Sequence, residues 1–116
     1  FSMDGLINEL DGKTWSDARY RITRRAREDL LGIGEYSELQ WGKEQRNRYL
    51  KSLEKRFEWL ALNPGAGRQR NEIAHGYYSF PHGQHVVFYL ISGQVIDIIG
   101  LLHQEMDILL YFQSSD

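Results

Sequence analysis

Apolar positions divide the chain into three blocks, each with its own period. In the first, Phe1, Met3, Leu6, Ile7 and Leu10 fall on one face of a helix. Ser2 stands where an N-cap belongs, Asp4 meets the positive end of the helix dipole, and Gly12 ends the run. A helix this short is marginal alone in water, so its stripe must dock on something. The second block opens with residues 18–22, where polar and apolar residues alternate as in a strand with one buried face. Thr23 then caps a helix predicted over 24–39, with Ala26, Leu30, Ile33 and Tyr36 facing inward. A break near 40–43 leads into a longer helix ending at Leu62, where Asn63-Pro64-Gly65 stops it. Its inner stripe is Tyr49, Leu50, Leu53, Phe57, Leu60 and Ala61, and Arg46, Arg48, Lys51 and Lys55 decorate its other faces.

The third block is strand-rich. A short run, 77–80, is closed by Pro81-His82-Gly83-Gln84. Hydrophobic strands over 85–91 and 95–102 follow, joined by a tight turn at Ser92-Gly93. Neither long strand alternates cleanly, which predicts cover on both faces. Strand, two helices, then an antiparallel meander is the order of an α+β layer fold, a helical hairpin packed on a sheet.

Composition narrows the chemistry. With 116 residues the chain fits one compact domain, and with no cysteine it has neither disulfides nor thiolate chemistry. No apolar run approaches the roughly 18 residues of a membrane span, so no membrane partner is expected. A net charge of −2 argues against a protein that coats nucleic acid, and leaves room only for local basic patches. His82 and His85 flank one turn and supply too few ligands for zinc, so neither a metal nor a cofactor is expected. His103 follows a buried strand and stands four residues before Asp107, either as a contact residue or held by Asp107 or a backbone carbonyl to fix the chain's exit from the sheet. Arg68 and Arg70 lie in a Gly-rich loop, where guanidinium groups suit an acidic partner or a phosphate as well as plain solvation.

Several motifs in order then resemble a known family. Gly67-Arg68 follows a helix; Phe80-Pro81-x-Gly83-x-His85-Val86-Val87-Phe88-Tyr89 follows that; Ile98-Ile99-Gly100-Leu101-Leu102-His103-x-x-x-Asp107 closes the series. Together, over residues 18–112, they resemble the ParE branch of the RelE/ParE toxins. The resemblance implies a growth-inhibiting toxin of a type II toxin–antitoxin system, of the kind linked to plasmid stabilisation. It also implies a bacterial cytoplasmic location, DNA gyrase as target and a ParD-like antitoxin as partner, with no direct nucleic-acid binding by the toxin alone. Arg68, Arg70, Tyr89 and His103 become the candidate target contacts, and Leu30, Tyr36, Tyr49, Leu53 and Phe57 the candidate antitoxin groove.

The sibling branch, resembling RelE, cleaves messenger RNA on the ribosome, which needs a base, an acid and a cation for the phosphate. Residues 85–102 contain no Arg or Lys, and after His103 there is no Arg, Lys or His, so binding is favoured over cleavage and no catalytic residue is assigned. The alternatives are an endoribonuclease of that kind and a non-toxic remnant that still binds antitoxin. Residues 1–16 precede a toxin-like domain expected over 17–116, and their stripe is similar to the amphipathic tail of ParD-type antitoxins; the alternative is a leader or a native helix that packs on the toxin's own core. A tail acting in cis would restrain the toxin, so a chain lacking residues 1–13 is expected to slow growth more strongly in an expression assay; equal growth would sink the idea.

Overall fold

The computed structural model describes residues 19–113. The segment carrying Phe1, Met3, Leu6, Ile7 and Leu10 lies outside them, and so does the proposal attached to it. The first strand, β1 (Tyr20–Ile22), leads directly into α1 (Arg24–Leu62). Thr23 caps the helix: its hydroxyl accepts from the Ala26 N–H at 3.3 Å and donates to the Ile98 carbonyl at 3.0 Å. That pair of bonds ties the helix start to the sheet.

The predicted break falls at Gly42, whose φ of 87° and ψ of 173° leave the helical region and suit only glycine. The chain doubles back there. Glu38 and Arg46 form an ion pair, although eight residues of straight helix would hold them about 12 Å apart. Arg46 is therefore not on a solvated face. It is 6% exposed, bonded also to the Asn47 side chain, and it clamps the tip of the hairpin. The reason is geometric: beside a turn, the face pointing away from the sheet is covered by the other arm.

A short 3-10 turn (Pro64–Ala66) connects to β2 (Arg68–Gln69), then β3 (Tyr77–His82), β4 (His85–Ser92), β5 (Val95–His103) and a C-terminal helix, α2 (Ile108–Gln113). Among the described residues the strands form one sheet in the order β1-β5-β4-β3-β2, with β1 parallel to β5 and the other pairs antiparallel. The meander expected from the sequence is present, with β2 as an additional edge strand. Pro81 and His82 belong to β3 rather than to the turn, which is made by Gly83 and Gln84.

Register explains why the long strands lack clean alternation. Phe88 pairs with Gly100, but Tyr89 pairs with Ile98, so β5 carries one extra residue, Ile99. The bulge resets the parity of the strand. Ile96 and Ile98 before it, and Leu101 after it, all join the same core as Val87, Tyr89, Tyr20 and Ile22. The two arms of α1 close this core with Leu30, Leu50, Leu53, Phe57 and Leu60, each fully buried.

On the opposite face, α2 covers the middle of the sheet. Phe112 meets Phe88 at a ring separation of 5.1 Å and Tyr77 at 5.6 Å. Gly100 is where the Tyr111 ring rests: a Cβ there would collide with the Tyr111 hydroxyl. Both faces of β4 and β5 are thus covered near Val87–Tyr89 and Gly100–Leu102, and less so towards the Gly93 turn, where Ser92 and Gln94 are exposed. No helix among the described residues is long and apolar enough to cross a membrane.

Candidate functional site

Beyond Ile98 the β5 edge runs past the end of β1. Asp29, from the first arm of α1, takes over there. Its Oδ2 accepts the Leu101 N–H at 2.9 Å and the Tyr111 hydroxyl. Arg25 closes the set, donating to the Tyr111 carbonyl and lying 3.7 Å from the centre of its ring. Burial raises the Asp29 carboxyl above the usual range, against the Tyr111 and Leu101 hydrogen bonds that pull it down. Burial and the neighbouring Asp29 carboxylate push the Tyr111 hydroxyl up. The arrangement anchors α2 to α1 across the strand edge. Asp107, expected as a partner of His103, instead caps α2, accepting from Leu109 and Leu110 N–H at 2.9 and 3.2 Å.

The densest group of titratable side chains lies at the β3–β4 turn, between the sheet and the second arm of α1. The Tyr49 hydroxyl stands 2.7 Å from His85 Nδ1 and donates to the His82 carbonyl at 3.2 Å. Gly83 must be glycine twice over: its φ is +56°, and a Cβ would lie 2.8 Å from that hydroxyl. His85 and His103 are register partners whose rings meet edge to face at 5.6 Å. Burial, then the adjoining His103 and His82, push the His85 imidazole down to about 4, so it is neutral at physiological pH.

His82 invites comparison with a hydrolase. Its Nε2 is 2.9 Å from the Ser52 hydroxyl, the spacing of a nucleophile and its base. The order of partners is the reverse of what activation needs. Arg56 Nε donates to His82 Nδ1 at 3.3 Å, where a carboxylate would stand in a triad. Nδ1 is then the acceptor and Nε2–H the donor, so the ring gives a proton to Ser52 rather than taking one. Ser52 passes its own proton to the Tyr49 carbonyl at 2.6 Å. Burial and the Arg56 charge hold His82 below its ordinary value, which keeps the ring neutral. The chain of bonds from Arg56 to Tyr49 locks the turn onto the helix.

The candidate contact residues separate. Tyr89 is fully buried; its hydroxyl accepts from Gly67 N–H at 2.9 Å and donates to the Pro64 carbonyl at 2.7 Å. It pins the loop after α1 and presents nothing to a target, because its β4 position points under the helices. Arg70 is held by Glu72 at 2.7 Å and by the Ser79 hydroxyl at 3.1 Å, on the face of the sheet away from the histidines. Arg68 is exposed on the edge strand, and His103 is half-buried at the rim. Leu30, Leu53 and Phe57 are fully buried core residues. Their stripe is the one that meets the sheet. Tyr36 and Tyr49 do line a hollow of about 210 Å³ at the tip of the helical hairpin. Its other aromatic wall is Trp41, 54% exposed and edge to face with Tyr36 at 6.0 Å. Trp41 was legible as an exposed aromatic beside a glycine break, yet nothing in its spacing tied it to Tyr36. Among the described residues no group of three His, Asp or Glu side chains is placed to hold a metal.

Comparison with known proteins adds what geometry alone leaves open. The family described as "ParE toxin of type II toxin-antitoxin system, parDE" matches residues 20–108. A protein of Caulobacter vibrioides named Toxin ParE1 is 42% identical over 88 residues, covering 76% of this chain and 91% of that protein. Toxin ParE1 of Mycobacterium tuberculosis is 35% identical over 92 residues, 78% of this chain and 94% of that protein. Toxin ParE of Escherichia coli is 31% identical over 91 residues, 78% of this chain and 88% of that protein. A solved structure titled "Chromosomal ParDE TA system from P. aeruginosa" superposes with a TM-score of 0.65 at 18% identity, covering 77% of this chain and 98% of that chain, and supports the fold.

Proposed function

The chain belongs to the ParE toxin family of type II toxin–antitoxin systems, and on that footing we propose that it stops growth by binding DNA gyrase, without bond-breaking chemistry of its own. The observation that carries this reading is how the polar groups are divided. His85 and His103 lie on the helix side of the sheet, whereas Arg70 lies on the other side in an ion pair. Ribonuclease chemistry needs base, acid and phosphate-neutralising cation converging on one scissile bond. His82 does have a cation beside it, Arg56, but both ring nitrogens are engaged, by Ser52 and by Arg56 itself. Exposed Arg68 and the half-buried rim residue His103 remain as target contacts. The test is a supercoiling assay with purified gyrase. Supercoiling should be lost at near-stoichiometric toxin and restored by a ParD-like antitoxin. Intact supercoiling with ribosome-dependent cleavage of reporter mRNA would replace this reading with the endoribonuclease one. Silence in both assays would leave a remnant that binds antitoxin alone.

The antitoxin's seat in this proposal is the hollow walled by Tyr36, Trp41 and Tyr49. An aromatic pocket of that size suits an apolar anchor from an amphipathic helix. Trp41→Ala is expected to weaken antitoxin binding about tenfold, read by titration calorimetry. An unchanged Kd would put the seat elsewhere.

A further inference from the structure

The outer side of the second arm of α1 carries a trough that neither the toxin assignment nor the antitoxin hollow uses. One hollow, of about 350 Å³, is lined by Asn47, Arg48, Lys51, Ser52 and Lys55. A second, of about 260 Å³, is lined by Ser52, Lys55, Arg56, Trp59 and His82. The two share Ser52 and Lys55 and so lie side by side along the helix. Among the described residues that line the trough four are cations and none is a carboxylate, on a chain whose net charge is −2. Arg48 and Lys55 are exposed, and the Lys51 side chain is 48% exposed, with Glu54 3.6 Å away behind it.

We infer that this trough binds the phosphodiester backbone of single-stranded nucleic acid, against the expectation that the toxin alone makes no direct nucleic-acid contact. Three features select that ligand over an acidic protein segment. First, the larger hollow is walled by Asn47, Ser52 and the stems of Arg48, Lys51 and Lys55, and among the described residues no Leu, Ile, Val, Met or aromatic side chain lines it. Protein interfaces are anchored by such groups and are depleted in lysine, whereas nucleic-acid interfaces are polar and rich in positive charge. Second, at 1.5 Å of rise per residue Arg48, Lys51 and Lys55 stand about 4.5 and 6 Å apart along the helix axis. Long, mobile side chains at that pitch reach successive phosphates of one strand. Third, the trough ends at Trp59, 40% exposed, which offers an indole for a base at the end of a basic track. Arg56 is fixed there, 5.0 Å from the Trp59 ring and 4.8 Å from the Phe80 ring, with its Nε on His82. Phosphodiester binding at this face does not depend on which protein the toxin inhibits.

The experiment uses the purified full chain and a fluorescein-labelled oligodeoxythymidylate, with anisotropy followed as ionic strength rises. Binding should weaken linearly on a log–log plot, and the slope should fall by about 0.7 for each of Arg48→Ala, Lys51→Ala and Lys55→Ala. Arg48 and Lys55 are exposed, so their variants keep the fold; Lys51 also pairs with the buried Glu54, so a helical far-UV spectrum and the urea midpoint verify that its variant is folded before the slope is read. Arg24→Ala, a change of equal charge at a side chain 93% exposed on the other arm, should leave the slope as it was. Three results would overturn the inference: no binding at low salt, the same slope in the triple variant, or displacement of the oligonucleotide by poly-glutamate as readily as by unlabelled strand. The last would make the trough a seat for an acidic protein.

Discussion

Phe57→Ala is expected to cost about 3–5 kcal/mol of folding stability and to leave antitoxin recognition without a direct effect. The ring is fully buried, 5.7 Å from that of Tyr20, between the second helical arm and β1. Removing it takes away the transfer free energy of an aromatic side chain. It also opens a cavity that cannot collapse, because a sheet lies on one side and a helix pinned at both ends lies on the other. Urea unfolding reads the loss as a lower midpoint with an unchanged m-value. The alternative for Phe57 is a place in an antitoxin groove. In that case the midpoint would hold and the antitoxin Kd would rise, so the two roles give opposite signatures.

Acid should destabilise the protein between about pH 6.5 and 4. His85 is neutral in the fold because burial, with His103 and His82 beside it, holds its imidazole at about 4 against an ordinary value of 6.5. An unfolded chain therefore binds a proton that the folded chain refuses. Stability from this group is complete above pH 6.5, falls as pH drops through the window, and stops changing below about 4. For a fully buried ring the loss would be roughly 3 kcal/mol, and for this half-buried one about 2 kcal/mol. His82 is displaced in the same direction and adds to it. Asp29 works the other way: its raised carboxyl makes the fold less stable above its own folded pKa and relieves that cost as pH falls through it. Urea midpoints at pH 7.5 and at pH 5 read the net effect, and His85→Gln should flatten the difference. A pH difference left unchanged by His85→Gln would mean that the ring is protonated as readily folded as unfolded.

Much of the architecture follows from local signals. Thr23 as cap, Gly42 as break and Asn63-Pro64 as stop are each properties of one or two residues, so the helical hairpin can be read without its partners. The core stripe Leu50, Leu53, Phe57 and Leu60 follows from period alone. The bulge at Ile99 does not. An inserted residue in an apolar run looks the same as a strand covered on both faces, and only the pairing partner distinguishes them. The C-terminal helix is similarly opaque. Asp107 before Ile108-Leu109-Leu110 is a cap in form, but a six-residue helix has no stability of its own. It exists because Phe112 finds Phe88 and Tyr111 finds Asp29, 82 positions away in sequence. The site residues were legible by type and less so by place. His82 carried no distinguishing signal until Ser52 and Arg56, one helical turn apart, were brought onto its two nitrogens. The cations of the second arm could be seen at intervals of three and four, but their common trough requires the turn that closes its end.

The extra residue in β5 also constrains how this strand can change. Deletion of Ile99 would remove the bulge and nothing else: Gly100 would follow Ile98 directly, still opposite Phe88 and beneath the ring of Tyr111, and Leu101 would still fill space against Val87. A residue lost or added in the regular part of the ladder would instead exchange the two surfaces beyond it. Length variation in this strand is therefore best absorbed at the bulge, where one codon can go without turning any side chain over.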